Sequence, residues 1–182
     1  MRDNFVKRTG AFGPEDPWFE TRSRAFWDDA LTTQRFAERA RSHLQESVAA
    51  WIDRLTHAHR GLFTVDDAGK GSFEIADVWS GAQFVVEALD DAQTLALEHA
   101  EGVMDARVVA LDASGRLAVL PGAFHHAPDA SEPSLKVLTA ARDRAMSTND
   151  ALDALLRMEL VFRRSSRVKV AFAYRVEGLP PL

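Results

Sequence analysis

The chain of 182 residues contains no cysteine. That excludes a disulfide scaffold, thiolate metal sites and a cysteine nucleophile. It also lacks any apolar run near the roughly 20 residues a helix needs to cross a bilayer, so no membrane span is expected. The first eight residues carry charges with no apolar stretch behind them. No secretory signal is therefore expected, and the cytoplasm is the expected location. There is no Gly-x-Ser-x-Gly elbow, no His-x-x-x-His and no Glu-x-x-His, so neither a serine nucleophile nor a helical metal site announces itself. The formal net charge of −5 counts against general nucleic-acid binding. What remains is ordinary for a globular protein, with 46% apolar and 27% charged residues. The length suits one domain with a core that needs no staples.

Residues 1–17 hold Gly10, Gly13, Pro14 and Pro17 with little periodicity, which predicts an arm lying over the surface. The rest, 18–182, reads as one α+β domain. In 18–60 apolar residues recur at helical spacing: Trp18, Phe19, Phe26 and Ala30, then Leu44, Val48, Trp51, Ile52 and Leu55. Gly61 stands where a helix C-cap would. In 61–127 the period shortens to two. Strands are expected at 62–65, 73–79, 82–89, 104–111 and 116–120, with a turn at 66–71 and a short helix after Asp90. Gly115 suits the turn that makes the last two strands a hairpin. The expectation is a small, bent antiparallel sheet or partial barrel. In 128–182 two helices are expected. Ser147 with Asp150 has capping-box spacing, and the helix behind it is apolar around most of its circumference. Asp153 and Arg157 are expected to pair on its wet side. Alternation from Val168 to Arg175 predicts a final edge strand over 168–176.

Candidate sites follow from residue chemistry. His125-His126 with Asp129 nearby would bind a metal only from a loop, because strand neighbours point to opposite faces; capping or surface roles suit the histidines better. Neither a metal nor a cofactor is expected. Asp66-Asp67 and Asp90-Asp91 sit at turn or cap positions that favour Asp for local hydrogen bonds. The densest feature is Arg163, Arg164 and Arg167, followed by Lys169 and Arg175. Arginine forks suit phosphate or carboxylate, and the helix dipole alone also favours cations at a C-terminus. Charge is segregated too. Residues 66–105 hold ten acids and one base, net −9, while 157–182 hold six bases and two acids, net +4.

Two resemblances arise. The run Arg163-Arg164-Ser165-Ser166-Arg167-Val168-Lys169-Val170-Ala171-Phe172 resembles the opening of a PilZ domain, which implies cyclic di-GMP binding through Arg-x-x-x-Arg. That family also carries Asp/Asn-x-Ser-x-x-Gly on a following strand, and the fifteen residues after Arg167 do not supply it. More broadly, His59-Arg60-Gly61-Leu62-Phe63, Gly71-Ser72-Phe73-Glu74-Ile75 and Asp105-Ala106-Arg107-Val108-Val109 resemble a group of uncharacterised bacterial α+β proteins. In these a helical segment precedes a small β-domain and C-terminal helices. Pro121-Gly122-Ala123-Phe124-His125 and Leu152-Asp153-Ala154-Leu155-Leu156-Arg157-Met158 belong to the same pattern. This resemblance implies the fold order and no mechanism.

The reading that results is a non-catalytic regulatory or adaptor protein. A protein partner would be met through an acidic surface of its own or an added strand, at Arg163, Arg164, Arg167, Lys169 and Arg175. Trp18, Phe19, Trp27 and Trp79 add aromatic surface of the kind found at hot spots. Two alternatives stand beside it. One is a phosphate or nucleotide sensor using the C-terminal arginines; the other is an enzyme with a pocket lined by His125, His126 and nearby carboxylates.

Overall fold

The computed structural model describes residues 1–69, 71–165 and 167–180; Lys70 of the expected turn and Ser166 of the arginine run lie outside the described residues. Four helices open the chain: α1 (Arg2–Thr9), α2 (Phe19–Leu31), α3 (Phe36–Ala40) and α4 (Glu46–Thr56). Strands β1 (His59–Gly69), β2 (Ser72–Asp77) and β3 (Gln83–Glu87) follow, then helix α5 (Asp91–Glu98). Strands β4 (Met104–Ala110), β5 (Leu117–Val119) and β6 (Phe124–His125) complete the sheet. Helices α6 (Ser131–Asp143), α7 (Thr148–Arg164) and α8 (Val170–Ala173) close the chain. The α+β class, and the order of its parts up to the last element, are those read from the pattern.

The sheet runs β1-β2-β3-β5-β4-β6, and β1 also pairs with β4. After the β1–β2–β3 meander, β4 thus returns beside β1 as a Greek key. All pairings are antiparallel except β3–β5, which meet in parallel through the single pair Glu87↔Ala118. The sheet is therefore mixed, not purely antiparallel, and curls on itself without forming a regular barrel. Its inner face is apolar and includes Phe63, Phe73, Ile75, Met104, Val108 and Val119. The hairpin Val108↔Val119 forms as expected. Strand β1 is longer than expected and takes in Asp66 and Asp67, so the turn shrinks to the residues around Gly71. Gly61 caps no helix. It lies in β1, where a Cβ would stand 2.8 Å from Asp77 Cγ, so any larger residue would have to displace Asp77 or Phe63.

Helix α7 is the core helix, with Leu152, Leu155 and Met158 against Val137 and Leu138 of α6. Ser147 caps it: Asp150 N–H donates to Ser147 Oγ at 3.1 Å, and that hydroxyl donates to Asp150 Oδ2 at 2.7 Å. The expected Asp153–Arg157 pair is replaced by longer-range partners. Asp153 is buried and bonded to Arg8 and Arg60, and Arg157 donates to the carbonyl of Arg8. The N-terminal stretch packs on the helices. Phe5 of α1 and Phe12 are buried against Ala25 of α2.

The final edge strand is corrected. Residues 168–176 form α8 and the lead into a 3-10 turn, Val176–Gly178. The buried residues are Val170, Ala173 and Tyr174, while Phe172 faces water. That i, i+3, i+4 spacing belongs to a helical turn; nine residues of alternation were too short to tell the two periods apart. Among the described residues, no helix is long and apolar enough to cross a membrane.

Candidate functional site

The structure divides the C-terminal cations. Arg163 bonds Glu159 one turn earlier on α7. Arg164 Nη2 donates to the Ala11 carbonyl at 2.7 Å and lies 3.4 Å from Asp16 Oδ2. Arg163 thus pairs within α7, and Arg164 ties the end of that helix to the N-terminal segment. Arg167, Lys169 and Arg175 are exposed, and no hydrogen bond or ion pair engages their side chains among the described residues. Phe172 stands in the same turn, 67% exposed. No ion pair joins 66–105 to 157–180 among the described residues; Glu87 is taken by Arg116, and Asp105 by Arg60. The acidic sheet and the basic end therefore do not neutralise one another. Of the four aromatic residues singled out above, only Trp27 is exposed. Trp79 lies beneath Arg142 and against the helical core.

The two neighbouring histidines part company. His126 is buried between Phe124 and Tyr174, with Nδ1 2.8 Å from the Tyr174 hydroxyl. Burial pushes its pKa down to about 4, and its Nε2 has no partner. His125 lines a separate cleft of about 320 Å³ with Thr21, Arg24 and Asp90. Asp90 there is the N-cap of α5 and accepts from Gln93 N–H at 2.7 Å. No group of three or more His, Cys, Asp or Glu among the described residues is placed to hold a metal.

A third locus joins residues far apart in the sequence. On the face of β1 and β4 turned toward the helices, Arg60 and Arg107 are direct cross-strand partners, and Leu62 opposes Asp105. Arg60 is gripped on three sides. Its Nε and Nη2 donate to Asp105 at 3.0 and 2.7 Å, and its Nη1 donates to Asp153 at 2.8 Å. Arg8 bridges Asp153 and Asp29. Arg107 has less. Its Nη2 lies 3.2 Å from Asp29 Oδ1 and 3.4 Å from Thr33 Oγ1, and its Nε is buried without a partner. Burial and the neighbouring Arg60 bring the Arg107 pKa down to about 10. Asp28, beside them, accepts from Gly122 N–H at 2.8 Å. Burial still raises its pKa to about 6. Three arginines and three paired carboxylates thus form a layer between the sheet and the helices. A cleft of about 440 Å³ opens on it, lined by Arg60, Arg107, Thr32, Thr33, Thr56 and Thr148, among others.

Signals for this layer were present in the sequence. Asp105 and Arg107 alternate with apolar neighbours in a strand, and Asp28-Asp29 sit in a helix whose same side buries Arg22. What no local pattern supplies is the register that sets Arg60 opposite Arg107.

Comparison with protein-family models, with curated proteins and with solved structures finds no match. The two resemblances therefore rest on the quoted residues alone.

Proposed function

We propose that the protein is a non-catalytic regulatory or adaptor protein that works by holding another protein, with residues 167–175 as its docking surface. The observation that carries this reading is Phe172. Its ring is two-thirds exposed, beside the side chains of Arg167, Lys169 and Arg175, which have no internal partners among the described residues. A large ring left in water favours burial against a partner. Cations around it suit a partial rim of charge. The matching partner segment carries an apolar side chain beside carboxylates. Pairing through an exposed strand drops out, because this stretch is helical.

The test uses the full chain and the variant Phe172→Ala/Lys169→Glu as baits in the native cell, then titrates the purified captured protein against both. The expected partner offers an acidic segment, binds more weakly as salt rises, and loses at least about tenfold in affinity to the variant. Identical capture and identical affinity for the two baits overturn the reading.

A further inference from the structure

The geometry points to a second, independent site: we propose that the cleft between the start of α7 and strands β1 and β4 binds a small molecule through its phosphate group, with Arg107 as the principal donor. Arg60 and Arg107 face each other across the β1–β4 ladder, where Cβ atoms of such pairs lie about 5 Å apart and like charges repel. The carboxylates do not share themselves evenly. Asp105 takes two donors of Arg60 and Asp153 takes a third. Arg107 is left with two long contacts from one nitrogen and a buried, unpartnered Nε, on a side chain only 4% exposed. A buried N–H with no acceptor is costly, and an entering oxyanion would supply one in a charge-assisted bond.

The walls favour phosphate over other anions. Four threonines line the cleft; Thr32 and Thr56 already donate to the Asp28 and Ile52 carbonyls, while the hydroxyls of Thr33 and Thr148 can each donate to one of several oxygens of a tetrahedral group. Thr148 and Asn149 are also the first residues of the 17-residue helix α7, so the positive end of its dipole adds to the arginine. Each of the three layer carboxylates is already bonded to an arginine, which leaves Arg107 Nε as the donor without an acceptor. A volume near 440 Å³ admits a molecule of the size of a sugar phosphate or a nucleoside monophosphate.

The test is calorimetry and thermal shift on the full chain. The probes are inorganic phosphate, a pentose phosphate, a nucleoside monophosphate, the two dephosphorylated counterparts and a dicarboxylate. Phosphate is expected to raise the melting temperature with dose, and the phosphorylated compounds to bind where their dephosphorylated forms do not. Arg107→Lys keeps the charge but removes the Nε donor, and should weaken binding at least about tenfold. Thr33→Val, which leaves every ion pair intact, should weaken it by a smaller factor if Arg107→Lys proves unstable. Phe172→Ala/Lys169→Glu should bind all probes as the parent does, which separates this site from the docking surface. The proposal is overturned if no phosphate compound stabilises the chain at about 10 mM, if Thr33→Val and Arg107→Lys both bind as the parent, or if the dicarboxylate equals phosphate.

Discussion

Strands β1 and β4 present two buried faces made in opposite ways. The face inside the curled sheet carries Phe63, Met104, Ala106 and Val108, all apolar. The face toward the helices carries Arg60, Asp105 and Arg107, closed over by Asp29 of α2 and Asp153 of α7. Both are dry. The apolar face is held by contact area, which is not directional. The charged face is held by hydrogen bonds that each need a placed partner, against a large desolvation cost. The lesson is that the same burial predicts different responses to substitution. On one face the cost follows the volume removed; on the other it follows whether a charge is left alone.

The sharpest way to break that comparison is a pair of single substitutions and one double. Phe63→Ala should cost about 3–5 kcal/mol through its cavity. Arg60→Met should cost about the same, about 3–5 kcal/mol, because Asp105 is left as an unpaired buried charge. The double variant Arg60→Met/Asp105→Leu should regain most of that loss, since Asp153 keeps Arg8. No second apolar truncation could rescue Phe63→Ala in this way. Urea unfolding of the four proteins reads the differences. If the double variant is no better than Arg60→Met, the two faces respond alike and the distinction fails.

The next effect is pH dependence, which the charged face has and the apolar face lacks. Asp28 keeps its proton up to about pH 6 in the fold, chiefly because it is buried. Between its ordinary value near 4 and about 6, the folded state binds a proton the unfolded chain has released. Stability therefore falls as pH rises through that window, by about 3 kcal/mol in all. His126 acts with the opposite sign. Burial holds its folded pKa near 4, below the ordinary 6.5, so stability falls as pH drops from 6.5 toward 4. The two slopes offset each other in the parent. Asp28→Asn removes the first and should expose a steeper loss toward acid, measured by urea midpoints from about pH 4 to 7. A profile unchanged by Asp28→Asn would show that Asp28 ionises freely in the fold.

How much of this was legible follows from the range of each signal. The hairpin of β4 and β5 and the Ser147 cap were readable because each depends on residues close in sequence. Their evidence is a glycine with φ of 88° at Gly115 and a hydroxyl three residues before Asp150. The core position of α7 is readable from its apolar circumference, but the burial of Asp153 is not, because its partners, Arg8 and Arg60, are far away in the chain. The charged layer was unreadable for the same reason: it exists only in the β1–β4 register. The five C-terminal cations were legible as a cluster. Their division into Arg163 and Arg164, which are engaged, and Arg167, Lys169 and Arg175, which are not, depends on Glu159, Ala11 and Asp16.

A smaller effect tests whether α7 serves both faces as one unit, since it brings Asp153 to the charged layer and Leu152 and Leu155 to the apolar core. Ser147→Ala removes the acceptor for Asp150 N–H and should cost about 1 kcal/mol. Hydrogen exchange should show the loss across the first turns of α7 and at Arg60 and Arg107 together. A loss confined to the first turn would mean that the layer does not depend on the helix start.

The smallest expected change in stability lies at α8, where the contrast of faces is repeated within one turn. Val170 is buried in the helical core, and Phe172, two residues on, is exposed. Val170→Ala should cost more than about 1 kcal/mol as a buried truncation. Phe172→Ala should change stability by less than about 0.5 kcal/mol, as ordinary surface substitutions do. The larger ring thus matters less to the fold than the smaller side chain beside it. If Phe172→Ala instead destabilises the free protein as much as Val170→Ala, the ring is part of the core in solution, and the docking surface loses its centre.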